Sequence, residues 1–243
     1  MQIIPVIDVL DGQVVHGRAG QRKTYQPIQS RLLKSTAPRE VLAALFEIVP
    51  SNTAYVADLN GLINGDVQTN VLNQLANQKT NLLIDAGIRS PADVDRLPTG
   101  DHVQLVLASE TIPSVQVLQE IVQRYPKRQF VFSFDLIDGA IKSVIPEWKQ
   151  MPITKLARSI WDLGLANWIV LDIKSVGMAT GPTTVEMCQQ LKSKFSDCQI
   201  ITGGGVRNRS NLQILKQIGV SSVLLATALH DGSITPADCV SVL

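Results

Sequence analysis

Two carboxylates stand in similar surroundings at distant points of the chain. Asp8 lies in Ile7–Gly12 and Asp135 in Phe134–Gly139, and each precedes a second Asp followed by Gly. Two carboxylates that face each other can act as general base and general acid, each contributing about 10²–10⁴ in rate. The same spelling also suits an aspartate that caps the following loop. We predict that Asp8 and Asp135 are catalytic, with loop capping as the alternative.

A run of three glycines follows the aliphatic segment Gln199–Thr202. Adjacent glycines let backbone N–H groups converge on a phosphate, and the N-terminus of a following helix adds its dipole. Glycines also form ordinary tight turns, so the run alone is weak evidence. This segment is the seventh predicted strand of the chain. In barrels of eight β/α units, the loops after strands seven and eight commonly bind phosphate. The predicted phosphate site comprises Gly203, Gly204, Gly205, Ala226 and Thr227.

A related turn occurs 118 residues earlier, but there Asp85 replaces Gly203. A phosphate about 5 Å from this carboxylate would meet roughly 5 kcal/mol of repulsion at an effective dielectric of about 20. The sequence therefore predicts one phosphate site, and a hydroxyl, amine or ring N–H as the partner of Asp85. Helix capping by Asp85 is the alternative. Five residues of such strand ends are predicted to bind substrate: Asp85, Gly87, Ser109, Asp58 and Asp172.

Eight short aliphatic runs, each followed by turn residues, predict the strands that must position these side chains. These runs are Ile3–Asp8, Ala54–Asp58, Asn81–Asp85, Val103–Ala108, Gln129–Asp135, Trp168–Asp172, Gln199–Thr202 and Ser222–Ala226. Helical patterns lie between them, including Pro38–Val49, Ser114–Tyr125, Ile153–Leu163, Thr184–Phe195 and Ser210–Ile218. Strict alternation of strand and helix indicates a parallel sheet with right-handed crossovers. Eight units without a linker predict one domain, 1–243, folded as a (β/α)8 TIM barrel.

An internal repeat indicates that the barrel consists of two similar half-barrels, approximately 1–127 and 128–243. The surroundings of Asp8 and Asp135 match at a spacing of 127 residues. The segments Asp85–Arg89 and Gly203–Arg207 match at a spacing of 118 residues. Several matches in the same order favour duplication of a four-strand half. Asp8 and Asp135 are then equivalent positions that face each other across the barrel mouth.

The composition limits the classes of partner. The net charge is +1 without a basic block, which argues against nucleic acid or a membrane surface. Three scattered cysteines and three scattered histidines predict reduced thiols, no metal site and no cofactor. No signal peptide or membrane span is expected from the sequence. We expect a cytoplasmic protein, a monomer or small homo-oligomer, that binds a phosphorylated small molecule.

Several segments together resemble the HisA/HisF family of histidine-biosynthesis barrels. The resemblance covers nearly the whole chain and includes Ile4–Val15, Ala57–Gly61, Ala86–Arg89, Phe134-Asp135, Gly181-Pro182, Gly203–Val206 and Ala228–Gly232. It implies a duplicated half-barrel and, for the isomerase, an Amadori rearrangement in which the residue at the Asp8 position acts as base. For the cyclase it implies carboxylates at Asp8 or Asp11 and at Asp135. A turn role is equally compatible with Asp11, because Gly12 follows it.

The chain departs from this family at positions that matter for the isomerase. Leu171 and Val176 stand where the family pattern has a Thr and an Asp that acts as general acid. The small residues before the phosphate-binding hydroxyls also differ, because Ala108 and Ala226 replace glycine. These departures predict a HisA-related paralogue with one phosphate site and altered chemistry.

Three functions are compatible with this sequence. The first is an isomerase or lyase that acts on a monophosphorylated, sugar-like substrate, and the resemblance extends it to one-carbon cofactor metabolism of the methanopterin or methanofuran type. The second is the ordinary histidine-pathway isomerase or cyclase with unusual residues. The third is a non-catalytic phosphate-binding scaffold subunit, which the hydrocarbon at Val176 favours.

Overall fold

The strands of the computed structural model, which describes residues 1–77 and 80–243, form a closed parallel barrel. We number the barrel strands β1 (Gln2–Leu10), β2 (Thr53–Asp58), β3 (Asn81–Asp85), β4 (Val103–Ala108), β5 (Gln129–Ile137), β6 (Asn167–Asp172), β7 (Gln199–Gly203) and β8 (Ser222–Leu225). Each strand pairs in parallel with the next, and β1 closes the barrel by pairing with β8 from Gln2↔Ser222 to Pro5↔Leu225. The predicted (β/α)8 barrel is confirmed.

Helices follow the strands and cover the outside of the barrel. Their bounds are Pro38–Ile48, Leu59–Asn64, Thr69–Ala76, Pro91–Asp95, Val115–Arg124, Pro146–Lys149, Ile153–Asp162, Val185–Lys194, Arg209–Gln217, Thr227–His230 and Pro236–Val240. The five helices expected from the sequence are present, with ends displaced by about one residue. Several begin with Pro in the first turn, where its missing N–H costs no hydrogen bond.

The same short hairpin follows β1 and β5. Asp11-Gly12 and Asp138-Gly139 form the two turns, and all four residues have positive φ, between 49° and 79°. Asp-Gly suits such a turn because both central residues of a type I′ hairpin need positive φ. The structure thus gives Asp11 the turn role that its sequence context allowed. The paired hairpins agree with an internal repeat, whereas the division at 127/128 stays a prediction.

Alternation along each strand separates two apolar layers. One layer packs between the strands and the helices, and the other fills the barrel interior. Ile4 on β1 and Val131 on β5 belong to the interior layer, as does Leu83 on β3. Counting on by twos from these residues reaches Asp8, Asp135 and Asp85. The period of two therefore carries these three carboxylates into the mouth of the barrel.

Candidate functional site

The C-terminal ends of the strands surround a cavity with five carboxylates in its lining, four of them at one end. Asp8 lies on β1, Asp85 ends β3, Glu110 follows β4, and Asp135 lies on β5. We call these four residues the acidic end of the cavity. The structure brings the two predicted catalytic residues and Asp85 together there.

Asp8 lies beneath the loop that follows β1. A Cβ placed on Gly17 would come within 2.2 Å of the Asp8 Oδ2, so only glycine lets the loop pass this closely. Burial raises the pKa of Asp8 to about 6; Arg22 opposes this shift and Asp85 adds to it. No described residue donates a hydrogen bond to its carboxylate. An ionised, unpartnered carboxylate with this pKa is suited to act as a general base near neutral pH.

Asp85 is held by two donors. The Tyr55 hydroxyl donates to its Oδ2 at 2.9 Å, and the Gly87 amide donates to its Oδ1 at 3.3 Å. Burial nevertheless raises the pKa of Asp85 to about 6, with repulsion from Glu110 as the next cause. Burial also raises the pKa of Tyr55 well above its usual value. Tyr55 therefore remains a proton-bearing hydroxyl in the cavity wall.

Asp135 is fixed in its orientation by one neighbour on β5 and one in the turn after β4. Ser133 donates its hydroxyl hydrogen to Oδ1 at 2.8 Å, and the Glu110 amide donates to Oδ2 at 3.4 Å. Burial, followed by repulsion from Glu110 and Asp85, raises the pKa of Asp135 well above its usual value. A carboxyl group of this kind retains a proton and can act as a general acid.

Glu110 binds two cations. It forms ion pairs with Arg22, from the loop after β1, and with Lys142, from the segment after β5. Burial alone would raise the pKa of Glu110, but Arg22 and Lys142 outweigh it and lower the pKa. Glu110 thereby ties the loop after β1 to the opposite rim and remains ionised.

The loop after β1 also contacts the far side of the cavity. The Ala19 amide donates to the Val176 carbonyl at 2.8 Å, and a Cβ on Gly177 would lie 2.4 Å from the Gly17 carbonyl oxygen. The loop thus covers part of the mouth and brings Arg22 above the acidic end.

The opposite side of the cavity is built from glycine turns. Gly204 and Gly205 have φ of 82° and 71°, and a Cβ on either would come within 2.2 Å of a neighbouring oxygen. Thr227 begins the helix after β8, where first-turn N–H groups have no intrahelical partner. We call Gly204, Gly205 and Thr227 the glycine end. Arg207 and Asp231 also line the cavity on this side.

Hydrocarbon separates these two ends. Leu171, Ile173 and Val176 line the cavity wall after β6, and Leu224 lines it from β8. The family pattern has a proton donor at the position of Val176 and a hydroxyl at that of Leu171, and this chain has hydrocarbon at both.

Several predicted binding residues are engaged elsewhere. The Asp58 carboxylate accepts from the Gly61 amide, and from the amide and side chain of Gln68. The Asp172 carboxylate accepts from the Gly139 and Lys174 amides. Neither aspartate lines the cavity, so both act as caps of the segments that follow their strands.

Of the remaining predicted residues, Ala226 lines the cavity and the other three lie beside it. Ser109 bonds the Lys142 carbonyl and the Asp135 amide, and Gly87 supports Asp85. Gly203 packs against Leu224, and Ala226 lies in the lining beside Thr227.

Sequence reasoning missed four polar residues of the site: Tyr55, Glu110, Arg22 and Lys142. Glu110 offered a signal, because it directly follows Ser109 and corresponds to Ala228 at the 118-residue spacing. Tyr55 offered a weaker one as a polar aromatic residue inside a strand. In the described part of the chain, no group of His, Cys, Asp and Glu is arranged to hold a metal ion. Nor does any described helix have the length and apolarity needed to cross a membrane.

The sequence matches known proteins over nearly its full length. The model of a family described as histidine biosynthesis protein matches residues 2–235. The chain belongs to this family. An uncharacterized protein of Methanocaldococcus jannaschii is 30% identical over 96% of this chain and 94% of its own length. The resemblance to histidine-biosynthesis barrels drawn from the sequence is thereby confirmed.

Other relatives in the family are named as enzymes. The 1-(5-phosphoribosyl)-5-((5-phosphoribosylamino)methylideneamino)imidazole-4-carboxamide isomerase of Leuconostoc mesenteroides is 27% identical over 97% of both chains. The isomerase of the same name from Phocaeicola vulgatus is 28% identical over 98% of both chains. Their name specifies two phosphoribosyl groups.

Proposed function

We propose that this family member is an acid/base enzyme that isomerises a phosphorylated, sugar-like small molecule. The observation that carries the proposal is the pairing of two unlike ends in one cavity. The glycine end offers backbone N–H groups for a phosphate. The acidic end offers carboxyl groups with raised pKa values, about 6 for Asp8 and Asp85 and well above the usual value for Asp135. Groups with perturbed pKa values in a cleft are candidates for proton transfer.

In the proposed reaction the substrate is an open-chain aminoaldose, and one proton moves between neighbouring carbons. Asp8 removes the proton from C2, because its carboxylate is ionised and has no protein donor among the described residues. Asp135 gives its proton to the imine nitrogen on C1 as the enaminol forms, because burial raises its pKa well above the usual value and favours its protonated form. Asp8 then returns its proton to C1 and Asp135 takes the proton of the C2 hydroxyl, so the aminoketose forms and both groups are regenerated. The hydrocarbon of Val176 and Leu171 cannot transfer a proton, so the acid must come from the acidic end.

The finer alternatives separate by their products. A lyase would divide the substrate into two compounds, whereas an isomerase leaves its mass unchanged. The proposal also includes a role in one-carbon cofactor metabolism and a cytoplasmic location. These two parts rest on the sequence and its family resemblance. A non-catalytic scaffold is favoured by Val176 but leaves the raised pKa values of three carboxyl groups without a use.

The experiment starts from native mass spectrometry of the purified protein, to identify a co-purifying phosphorylated compound. Its conversion in ²H₂O is then followed by NMR, which detects both isomerisation and exchange of the carbon-bound proton. The Asp8→Asn variant keeps the shape but loses the base, so exchange should slow by at least about 10². In the unmodified protein the rate should rise with pH through about 6, as Asp8 ionises.

A matched control is Asp162→Asn, since Asp162 is exposed on an outer helix and the charge change is the same. It should leave exchange unchanged. If Asp8→Asn exchanges at the unmodified rate, Asp8 is not the base. Release of two fragments would replace the isomerase with a lyase.

A further inference from the structure

In the turns after β3 and β4, backbone amides donate to carboxylates of the protein itself. The equivalent turns of the second half face the cavity. At the 118-residue spacing, Gly87 corresponds to Gly205 and Glu110 to Ala228. The Gly87 amide donates to Asp85 at 3.3 Å, and the Glu110 amide donates to Asp135 at 3.4 Å. Backbone donors that could bind a phosphate are thus occupied by protein carboxylates.

The cations near this end are occupied too. Arg22 and Lys142 both pair with Glu110. The Arg89 guanidinium, which corresponds to Arg207 of the glycine end, donates to the carbonyls of Gly61, Leu62 and Gly87 at 2.6–3.0 Å. None of these cations is therefore held ready for an anionic group.

The cavity surface at this end carries an excess of negative charge. Four carboxyl groups face two cations. Asp85 raises the pKa of Asp8 and of Asp135, and Glu110 raises the pKa of Asp85 and of Asp135. Asp8 accepts no hydrogen bond from the described residues, although it lines the cavity. A partly buried carboxylate that accepts no hydrogen bond is costly, and a bound cation would reduce that cost.

We propose that the acidic end binds a cationic nitrogen of the substrate, a protonated amine or amidinium. The substrate then carries one phosphate, held at the glycine end, and one positive nitrogen, held among Asp8, Asp85 and Asp135. This inference rests on the proposed phosphate site and names the substrate class of the same cavity. A second phosphate is excluded because its donors are filled and four carboxyl groups surround the space.

Three matched probes test the inference on the unmodified protein by isothermal titration calorimetry at pH 7. They are ω-aminoalkyl phosphates, alkyl phosphates and alkane α,ω-bisphosphates, each with chains of about four to eight carbons. At the best chain length the aminoalkyl phosphate should bind at least about tenfold more tightly than the alkyl phosphate, because its ammonium meets desolvated carboxylates. The bisphosphate should bind more weakly than the alkyl phosphate.

Two variants locate the effect. Asp85→Asn keeps the Tyr55 contact and removes the charge, so it should abolish most of the preference for the amine while the alkyl phosphate still binds. Asp162→Asn changes the net charge equally far from the cavity and should change neither affinity. The comparison of the three probes needs no variant, so it stands even where a variant folds poorly.

The outcomes separate the two proposals. Equal binding of the amine and alkyl probes, or tighter binding of the bisphosphate, overturns the cationic substrate while the phosphate site stands. Failure of every probe to bind, or alkyl phosphate binding that Gly204→Val leaves unchanged, overturns the phosphate site and this inference together.

Discussion

The two ends of the cavity occupy equivalent places in the barrel but have opposite chemistry. Asp85, Gly87 and Arg89 stand 118 residues before Gly203, Gly205 and Arg207. In the first set the amide and the guanidinium are bonded to protein oxygens at 2.6–3.3 Å. In the second set Arg207 is exposed, and its guanidinium donates one long hydrogen bond, 3.3 Å, to the Ala179 carbonyl. The barrel fixes where a ligand can lie, and single side chains decide which charge it can have.

The turns and capping aspartates that stabilise the fold are alike in the two halves of the barrel. The hairpins after β1 and β5 retain the same Asp-Gly turn, and Asp58 and Asp172 both cap the segment after their strand. Most of their partners are backbone amides, which both halves supply; the Gln68 side chain on Asp58 is the exception among the described contacts. Symmetry persists in these turns and caps and in the pair Asp8 and Asp135, and it is lost where Asp85 and Glu110 stand opposite Gly203 and Ala228.

The largest effect expected from this difference is a failure to replace the histidine-pathway isomerase. The name of the related enzymes specifies two phosphoribosyl groups. The second phosphate would lie at the acidic end, where the roughly 5 kcal/mol of repulsion from Asp85 alone corresponds to several thousandfold in affinity. We expect a strain that lacks this isomerase and expresses the chain to form no colonies without histidine.

The control is the same strain carrying the Leuconostoc mesenteroides isomerase, which should restore growth. Expression of both proteins is checked by immunoblot. Robust growth with this chain would mean that the acidic end accepts a phosphate and that another residue replaces the acid missing at Val176.

The second effect concerns stability, because buried carboxylates at the acidic end lower the free energy of unfolding when they are ionised. Burial raises the pKa of Asp85 in the folded protein to about 6, from the ordinary aspartate value of 3.8. A raised folded pKa means that its contribution to stability is fully present below pH about 4 and is lost as the pH rises through 6. Asp85→Asn should therefore gain free energy of unfolding over the unmodified protein as the pH rises. This gain should be about 2 kcal/mol larger at pH 7.5 than at pH 4.

Urea unfolding of the unmodified and variant proteins at both pH values measures this difference. Asp162→Asn serves as the exposed control and should show no such pH dependence. Equal stability of Asp85→Asn and the unmodified protein at pH 7.5 would mean that Tyr55 and Arg22 already offset the burial of Asp85. The acidic end would then carry no electrostatic cost.

The fold could be predicted from the sequence because its determinants are local. Aliphatic runs, turn residues and helical periods mark each β/α unit, and eight units close into a barrel. The positions of Asp8, Asp85 and Asp135 at the ends of predicted strands also indicated the mouth of the barrel, where the structure has them. The carboxyl end of a strand is a position that sequence reasoning can locate.

The contacts within the site could not be predicted, since they join residues far apart in the chain. Arg22 and Lys142 reach Glu110 across 88 and 32 residues, from loops without any periodicity. The sequence also could not show whether Asp58 binds substrate or backbone, because both roles place an aspartate at the end of a strand. Burial and hydrogen-bond partners decide between them.

The smallest expected effect tests that distinction between capping and cavity aspartates. Asp58→Ala removes the acceptor of three hydrogen bonds and Asp172→Ala that of two. Loss of a cap costs about 1 kcal/mol, so both variants should unfold more easily, Asp58→Ala the more so. Because neither side chain lines the cavity, binding of the alkyl phosphate probe should stay within about twofold of the unmodified protein. Urea unfolding and calorimetry give the two quantities separately. Weakened probe binding with unchanged stability would mean that Asp58 or Asp172 binds substrate. The distinction between capping and cavity aspartates would then be wrong.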